Sequence, residues 1–152
     1  MEIKYLERLK INNKKGTLTN KGLSLEQISH LEIIFNNANP FPKVLKELLF
    51  LAGEYCGFLE FGAFEDQEEM QNEMRSDLLE FNNLVIIRPF FCIDIASYSA
   101  PVFMFLDEGD NPTLCQILRE PTNENYYRRI GVDLKEFINI SIENYLNGEG
   151  AF

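Results

Sequence analysis

Apolar residues recur at helical spacing through the first half of the chain and close up into short β-rich runs from Leu84 onward. Ser24 with Gln27 has the form of a capping box, and Leu23 with Ile28 that of a hydrophobic staple; together they predict a helix start at Ser24. Ile28, Leu31 and Phe35 line one face, and the helix should stop near Asn36 and Asn37, ahead of Pro40 and Pro42. A second helix is expected from about Pro42 to Ala52, with proline suited to its first turn and Gly53 to a left-handed position just past its end. Val44, Leu45, Leu48, Leu49, Leu51 and Ala52 make most of its circumference apolar, which predicts a place at the centre of the core. A third helix is expected over about Gln67 to Phe81. Asp66 would cap it, Glu69 stands three residues on, and Met70, Met74, Leu78 and Phe81 form a stripe opposite an acidic face.

Four runs then read as strands: Leu84–Ile87, Phe90–Ile93, Val102–Leu106 and Thr113–Ile117. Turn chemistry at Ala96–Pro101 and Asp107–Pro112 separates the later ones, which predicts an antiparallel meander. Asp133 with Glu136 opens a last helix that turns Leu134, Phe137, Ile138, Ser141 and Tyr145 inward and fades around Gly148. Residues 1–21 read as an entry arm, with a short strand over Ile3–Leu9 and a polar turn after it, leaving 22–152 as the folded domain. The order helices, sheet, helix predicts a single α+β domain with a mainly antiparallel sheet packed with helices.

The chain has 152 residues, 45% of them hydrophobic with 13 Phe and 6 Tyr, a composition that excludes disorder and low-complexity scaffolding. No apolar run approaches the roughly 20 residues that span a bilayer. Met1–Lys10 alternates charged and apolar residues instead of presenting a signal sequence's apolar stretch, so a cytoplasmic protein with no membrane partner is expected. Net charge is −10, which argues against direct nucleic-acid binding because phosphate neutralisation needs clustered Lys and Arg. The charge is uneven: Glu60–Glu80 holds eight acids against Arg75 alone. Glu60, Glu65, Asp66, Glu68, Glu69 and Glu73 are the candidate partner-binding residues there, with Asp107, Glu108 and Asp110 of the later turn beside them. The same composition fits a solvated helix face or a surface that steers a basic partner.

Enzymatic and cofactor chemistry finds little footing. Cys56, Cys92 and Cys115 are widely spaced among apolar neighbours and read as buried, reduced thiols. His30 is the sole histidine, which leaves no metal-binding pair, no Cys–His dyad and no Ser–His–Asp triad. Gly53, Gly57 and Gly62 fit neither the dinucleotide fingerprint nor the P-loop. Asp107–Asn111 is no calcium loop either: Pro112 stands where an EF-hand needs glycine, and Leu118 where it needs a bidentate glutamate. Among 24 acids some carboxylate pair will fall within catalytic distance by chance. No cofactor, no metal and no catalytic activity are expected.

The run Asn39-Pro40-Phe41-Pro42-Lys43-Val44-Leu45 through Gly53 resembles the opening signature of the SMI1/KNR4 family, or SUKH superfamily, in which a proline-led helix ends in a small-residue turn. Ile93-Asp94, Phe103-Met104-Phe105-Leu106-Asp107-Glu108-Gly109 with Asp110-Asn111-Pro112, and Leu134-Lys135-Glu136-Phe137-Ile138 are similar to its later strands, acidic turn and closing helix. The resemblance covers about residues 24–147 in element order. It departs at Ser97-Tyr98-Ser99-Ala100-Pro101, where the family often has glycine, and in having no Trp. It implies an SMI1/KNR4-like α+β fold and a non-catalytic bacterial immunity protein that binds and neutralises a cognate polymorphic toxin with a basic surface, often a nuclease. The alternative it implies is a regulatory or scaffolding interaction module of the same fold.

Overall fold

Val44, Leu45, Leu48 and Leu49 are buried in one apolar core and Met70, Met74 and Leu78 in a second, with a β-sheet between them. The computed structural model describes residues 1–95 and 100–148. In chain order the elements are α1 (Glu7–Ile11), β1 (Lys14–Lys15), β2 (Leu18–Thr19), α2 (Leu25–Phe35), α3 (Lys43–Ala52), α4 (Gln67–Asn82), β3 (Phe90–Asp94), β4 (Val102–Phe105), β5 (Thr113–Ile117), β6 (Tyr127–Asp133) and α5 (Leu134–Leu146). β3, β4, β5 and β6 are neighbours in that order and each pair is antiparallel.

Alternate strand residues enter different cores. Phe91, Ile93, Val102, Met104 and Leu114 share one with the apolar faces of α1, α2, α3 and α5. Phe90, Cys92, Phe103, Phe105, Cys115 and Ile117 share the other with α4. Because both faces are covered, these strands are written as nearly unbroken apolar runs instead of an apolar–polar alternation. The chain thus forms the single-domain α+β fold with the antiparallel meander that its patterning predicts.

Three helix starts are set by their caps. Ser24 Oγ accepts the Gln27 N–H at 3.1 Å while the Gln27 side chain accepts the Ser24 N–H at 2.9 Å. Asp66 accepts the Glu69 N–H, and Asp133 the Glu136 N–H, each at 2.8 Å. Each bond satisfies a first-turn donor that has no acceptor inside its helix.

Several local expectations are corrected. Gly53 is right-handed, with φ −70° and ψ −25°, so conformational freedom does not explain it. Crowding does: a Cβ there would lie 2.6 Å from the Leu49 carbonyl oxygen and 2.8 Å from Leu23 Cγ. Ile3–Leu9 forms no strand but leads into α1, and the buried Ile3, Leu6 and Leu9 join the core of α3 and α5. Their spacing of three is helical, and buried Glu47 holds the segment by accepting the N–H groups of Lys4, Tyr5 and Leu6 at 2.8, 2.8 and 3.1 Å. Residues 1–21, read as an entry arm, therefore contribute to the common core.

Phe81 is 72% exposed and off the α4 stripe. Leu84–Ile87 is not a strand; Leu84 is buried, but Val85 and Ile87 stand in solvent, and no strand among the described residues pairs with the run, since β4 sits between β3 and β5 while α4 takes the free edge of β3. β6 is an element the patterning missed, since Arg128, Arg129 and Gly131 interrupt its apolar residues. The turn read over Ala96–Pro101 falls at residues 96–99 outside the described residues.

Candidate protein-binding surface

The direction of α4 decides where the acids go. Gln71 is bonded to Cys92, and Arg75, one turn later, to Phe90, so the first turn of α4 lies toward the Asp94 end of β3. At that end the chain segment after α3 folds back. Ile95 N–H donates to the Glu60 carbonyl at 2.8 Å and Glu60 N–H to Asp94 Oδ2 at 3.2 Å. Lys21 and Tyr55 exchange both backbone bonds, at 2.9 and 3.0 Å, and buried Gln67 donates to the Gly53 carbonyl at 3.0 Å. Residues 53–62 are thereby pinned from three sides against the start of α4.

Between them is a pocket of about 230 Å³ whose walls include Tyr55, Phe61, Phe64 and Met70, with Glu60 and Asp66 among its acids. The structure brings Glu60, Glu65, Asp66, Glu68 and Glu69 together around this end of α4, and Glu73 follows on the exposed face of the same helix. The acids differ in what they already do. Asp66 caps the helix, and Glu69 Oε2 accepts the Glu65 N–H at 2.5 Å, so both carboxylates hold backbone. Glu68 lies 3.2 Å from His30 of α2 in an exposed contact. Glu60, Glu65 and Glu73 have exposed side chains and form no ion pair among the described residues. Aromatic walls under an acidic rim can receive a cationic side chain, through carboxylate contact at the tip and cation–π contact along the ring faces.

Asp107, Glu108 and Asp110 stand elsewhere. Val102 pairs with Asp94 and Phe105 with Phe90, so the turn after β4 is at the other end of these strands from Glu60. Arg88 grips Asp107 with Nε at 2.8 Å and Nη2 at 2.6 Å and reaches Glu108 at 2.7 Å. Arg129 holds Glu108 with two bonds of 2.6 Å. The Arg88 guanidinium also lies 3.8 Å above the Phe105 ring. Hydrogen bonds from Arg88 hold the Asp107 carboxyl below its ordinary pKa, and those from Arg129 do the same for Glu108. Asp110 is 3.7 Å from Lys43. This turn is a charge-matched cross-link, and its acids add nothing to the unmatched charge around Glu60.

All three thiols are buried and unpaired with one another. Burial pushes Cys56 up to about 11 and Cys92 up to about 12 and raises Cys115, so at neutral pH they are protonated and poor nucleophiles, although Cys56 lines the pocket. No group of three or more His, Cys, Asp or Glu side chains that could hold a metal occurs among the described residues. Nor is any of their helices long and apolar enough to cross a membrane.

Sequence reasoning missed Tyr55, Phe61 and Phe64 as pocket walls, and Arg88 and Arg129 as partners of the turn. It also missed Gln67 and Gln71, whose position in the buried stripe with Met70 and Met74 was a legible sign of amides spent on buried backbone. The molecule defined by this fold and surface is an α+β protein with a pinned acidic pocket. No protein-family model matches the chain, and no curated protein is significantly similar to it.

Proposed function

We propose that this is a non-catalytic immunity-type protein of the SMI1/KNR4 kind, which binds a cognate toxin domain with a basic surface and blocks it by occlusion. The observation that carries the reading is the pinned, aromatic-walled pocket whose acidic surroundings include Glu60, Glu65 and Glu73, carboxylates free of ion pairs among the described residues. A basic nucleic-acid-binding cleft is the surface such a patch complements, and long-range attraction would speed the encounter. The protein partner takes the place that nucleic acid would occupy; no catalytic step of the chain's own is involved.

The test is co-expression with the product of the adjacent gene, followed by association kinetics at several salt concentrations. The on-rate should approach about 10⁸ M⁻¹s⁻¹ at low salt and fall as ions screen the charges. Combined Glu60→Gln, Glu65→Gln, Glu68→Gln and Glu73→Gln should lower that rate and flatten its salt dependence while leaving the Asp66 and Glu69 contacts in place. An unchanged rate and slope would return these acids to a solvated face. A chain that neither binds nor protects against that product would point to the regulatory-module reading.

A further inference from the structure

A second pocket, of about 250 Å³, lies between the C-terminal half of α4 and the segment leading to β3. Its chemistry is the reverse of the first: Leu78, Leu79, Leu84, Val85 and Phe90 line it, and among the described residues its one charged side chain is Arg75. The Arg75 guanidinium is sandwiched 4.1 Å from the Phe90 ring centroid and 4.7 Å from that of Phe35. It donates to the carbonyls of Gln71 and Phe90, at 3.1 and 2.9 Å, and has no carboxylate partner among the described residues. A guanidinium has five N–H donors, so these two acceptors leave donors over. Burial with no acid to offset it lowers the Arg75 pKa to about 10.

The rim carries a second anomaly. Leu79 is 52% exposed, Val85 59% and the neighbouring Ile87 95%. Leu79 belongs to α4, and the segment bearing Val85 and Ile87 is held at its start, for Asn123 accepts the Val85 N–H and donates to the Asn83 carbonyl, both at 3.3 Å. Apolar side chains are thus displayed by a fixed piece of backbone around an unmatched cation, the combination expected where a partner supplies the missing surface.

We propose that this pocket captures the C-terminus of a partner polypeptide that ends in an apolar residue, with its carboxylate on Arg75 and its side chain between Leu79 and Val85. Charge complementarity calls for an anion. The volume is below the roughly 300 Å³ at which pockets begin to hold whole small ligands, and suits one apolar side chain. Arg75 lines the same small space as the apolar walls, so anion and apolar group must belong to one residue, as they do at a chain terminus. The exposed side chains outside the pocket continue the contact for the residues before it. This site is independent of the acidic surface and of the toxin-binding reading.

The experiment titrates the isotope-labelled protein with a hexapeptide ending in Ser-Leu-Val as the free acid, with its C-terminal amide, and with sodium octanoate, following amide and arginine Nε–H resonances by NMR. The free acid should give saturable shifts at Arg75, Leu79, Val85 and Ile86, and the amide should bind at least about tenfold more weakly for want of the charge-assisted contact. Combined Leu79→Ser and Val85→Ser, at exposed positions that leave the fold intact, should weaken the acid by about tenfold, and Arg75→Lys should weaken it while retaining some binding because a point charge replaces the fork. Absence of saturable shifts, equal affinity for acid and amide, or shifts confined to other surfaces would overturn the proposal. Octanoate binding as tightly as the peptide would make a free amphiphile the occupant and overturn the peptide assignment.

Discussion

The two edges of the sheet meet the same hazard in opposite ways. Each edge strand has a row of backbone N–H and C=O groups with no neighbouring strand, which left bare invites another chain to pair. At β3 the row is sealed from within the molecule. Gln71 accepts the Cys92 N–H and donates to the Cys92 carbonyl, both at 2.8 Å, so one side-chain amide stands in for a strand residue, and Arg75 takes the Phe90 carbonyl. At β6, which has only β5 beside it in the sheet, no group among the described residues seals the row. There the register slips, since Thr113 faces Asp133 while Cys115 faces Arg129, and the surplus residues around Gly131 form a bulge directly after Arg128 and Arg129. A buried edge has to be hydrogen-bonded, whereas an exposed edge need only be bent and charged. That distinction determines what each residue is worth.

Gln71→Leu should be the costliest change. It leaves a buried N–H and a buried carbonyl without partners, and urea unfolding should register a loss of about 2–5 kcal/mol. A loss below about 1 kcal/mol would mean that water reaches the β3 edge and that the two edges differ less than the hydrogen bonds indicate.

At the other edge, Gly131→Val should cost about 1–2 kcal/mol through the backbone alone, because Gly131 has φ +81° and no heavy atom within 4 Å of an added Cβ. The same denaturation measurement checks it, and a neutral result would show that the bulge relaxes freely.

Arg129→Met tests the charged bracing of β6. Glu108 has a depressed pKa in the folded state, so its contribution is fully present above the unfolded value near 4 and is lost as pH falls through the folded value. The wild type should therefore lose stability below about pH 5, and the variant less steeply; since the pair is partly exposed, the difference at neutral pH should stay under about 1 kcal/mol.

The smallest stability effect belongs to Arg128→Ile, within about 0.5 kcal/mol. Sedimentation should instead show increased self-association, because the unsealed edge has lost a charge that repels a second copy. A variant no more associated than the wild type would assign the protection to the bulge alone.

What the sequence made legible shares one property: it depends on residues close together in the chain. The caps at Ser24, Asp66 and Asp133 each join positions three apart, and the apolar surface of α3 follows from its own ten residues. The acidic run from Glu60 to Glu73 was equally visible. Its division into capping and unpaired acids was not, because a carboxylate looks the same in sequence whether it faces water or bonds to backbone. Glu32 and Glu47 show this most sharply. Both lie within helices, where nothing in the neighbouring residues sets them apart from the exposed acids, yet Glu47 is 3% exposed and binds three N–H groups more than forty residues away, and buried Glu32 accepts the Phe41 N–H.

Local pattern by itself determined the class of fold, most of the helices and three of the four strands of the sheet, since hydrophobic period and capping act over a few residues. Tertiary structure alone decided that Leu84–Ile87 stays out of the sheet, that Arg128 and Arg129 enter it, and that Asp107 and Glu108 are matched by Arg88 and Arg129 while Glu60 stays exposed with no ion pair among the described residues. Those outcomes depend on which groups remain to pair with once every other element is in place, and competition for partners across the whole chain leaves no mark on a short stretch of it.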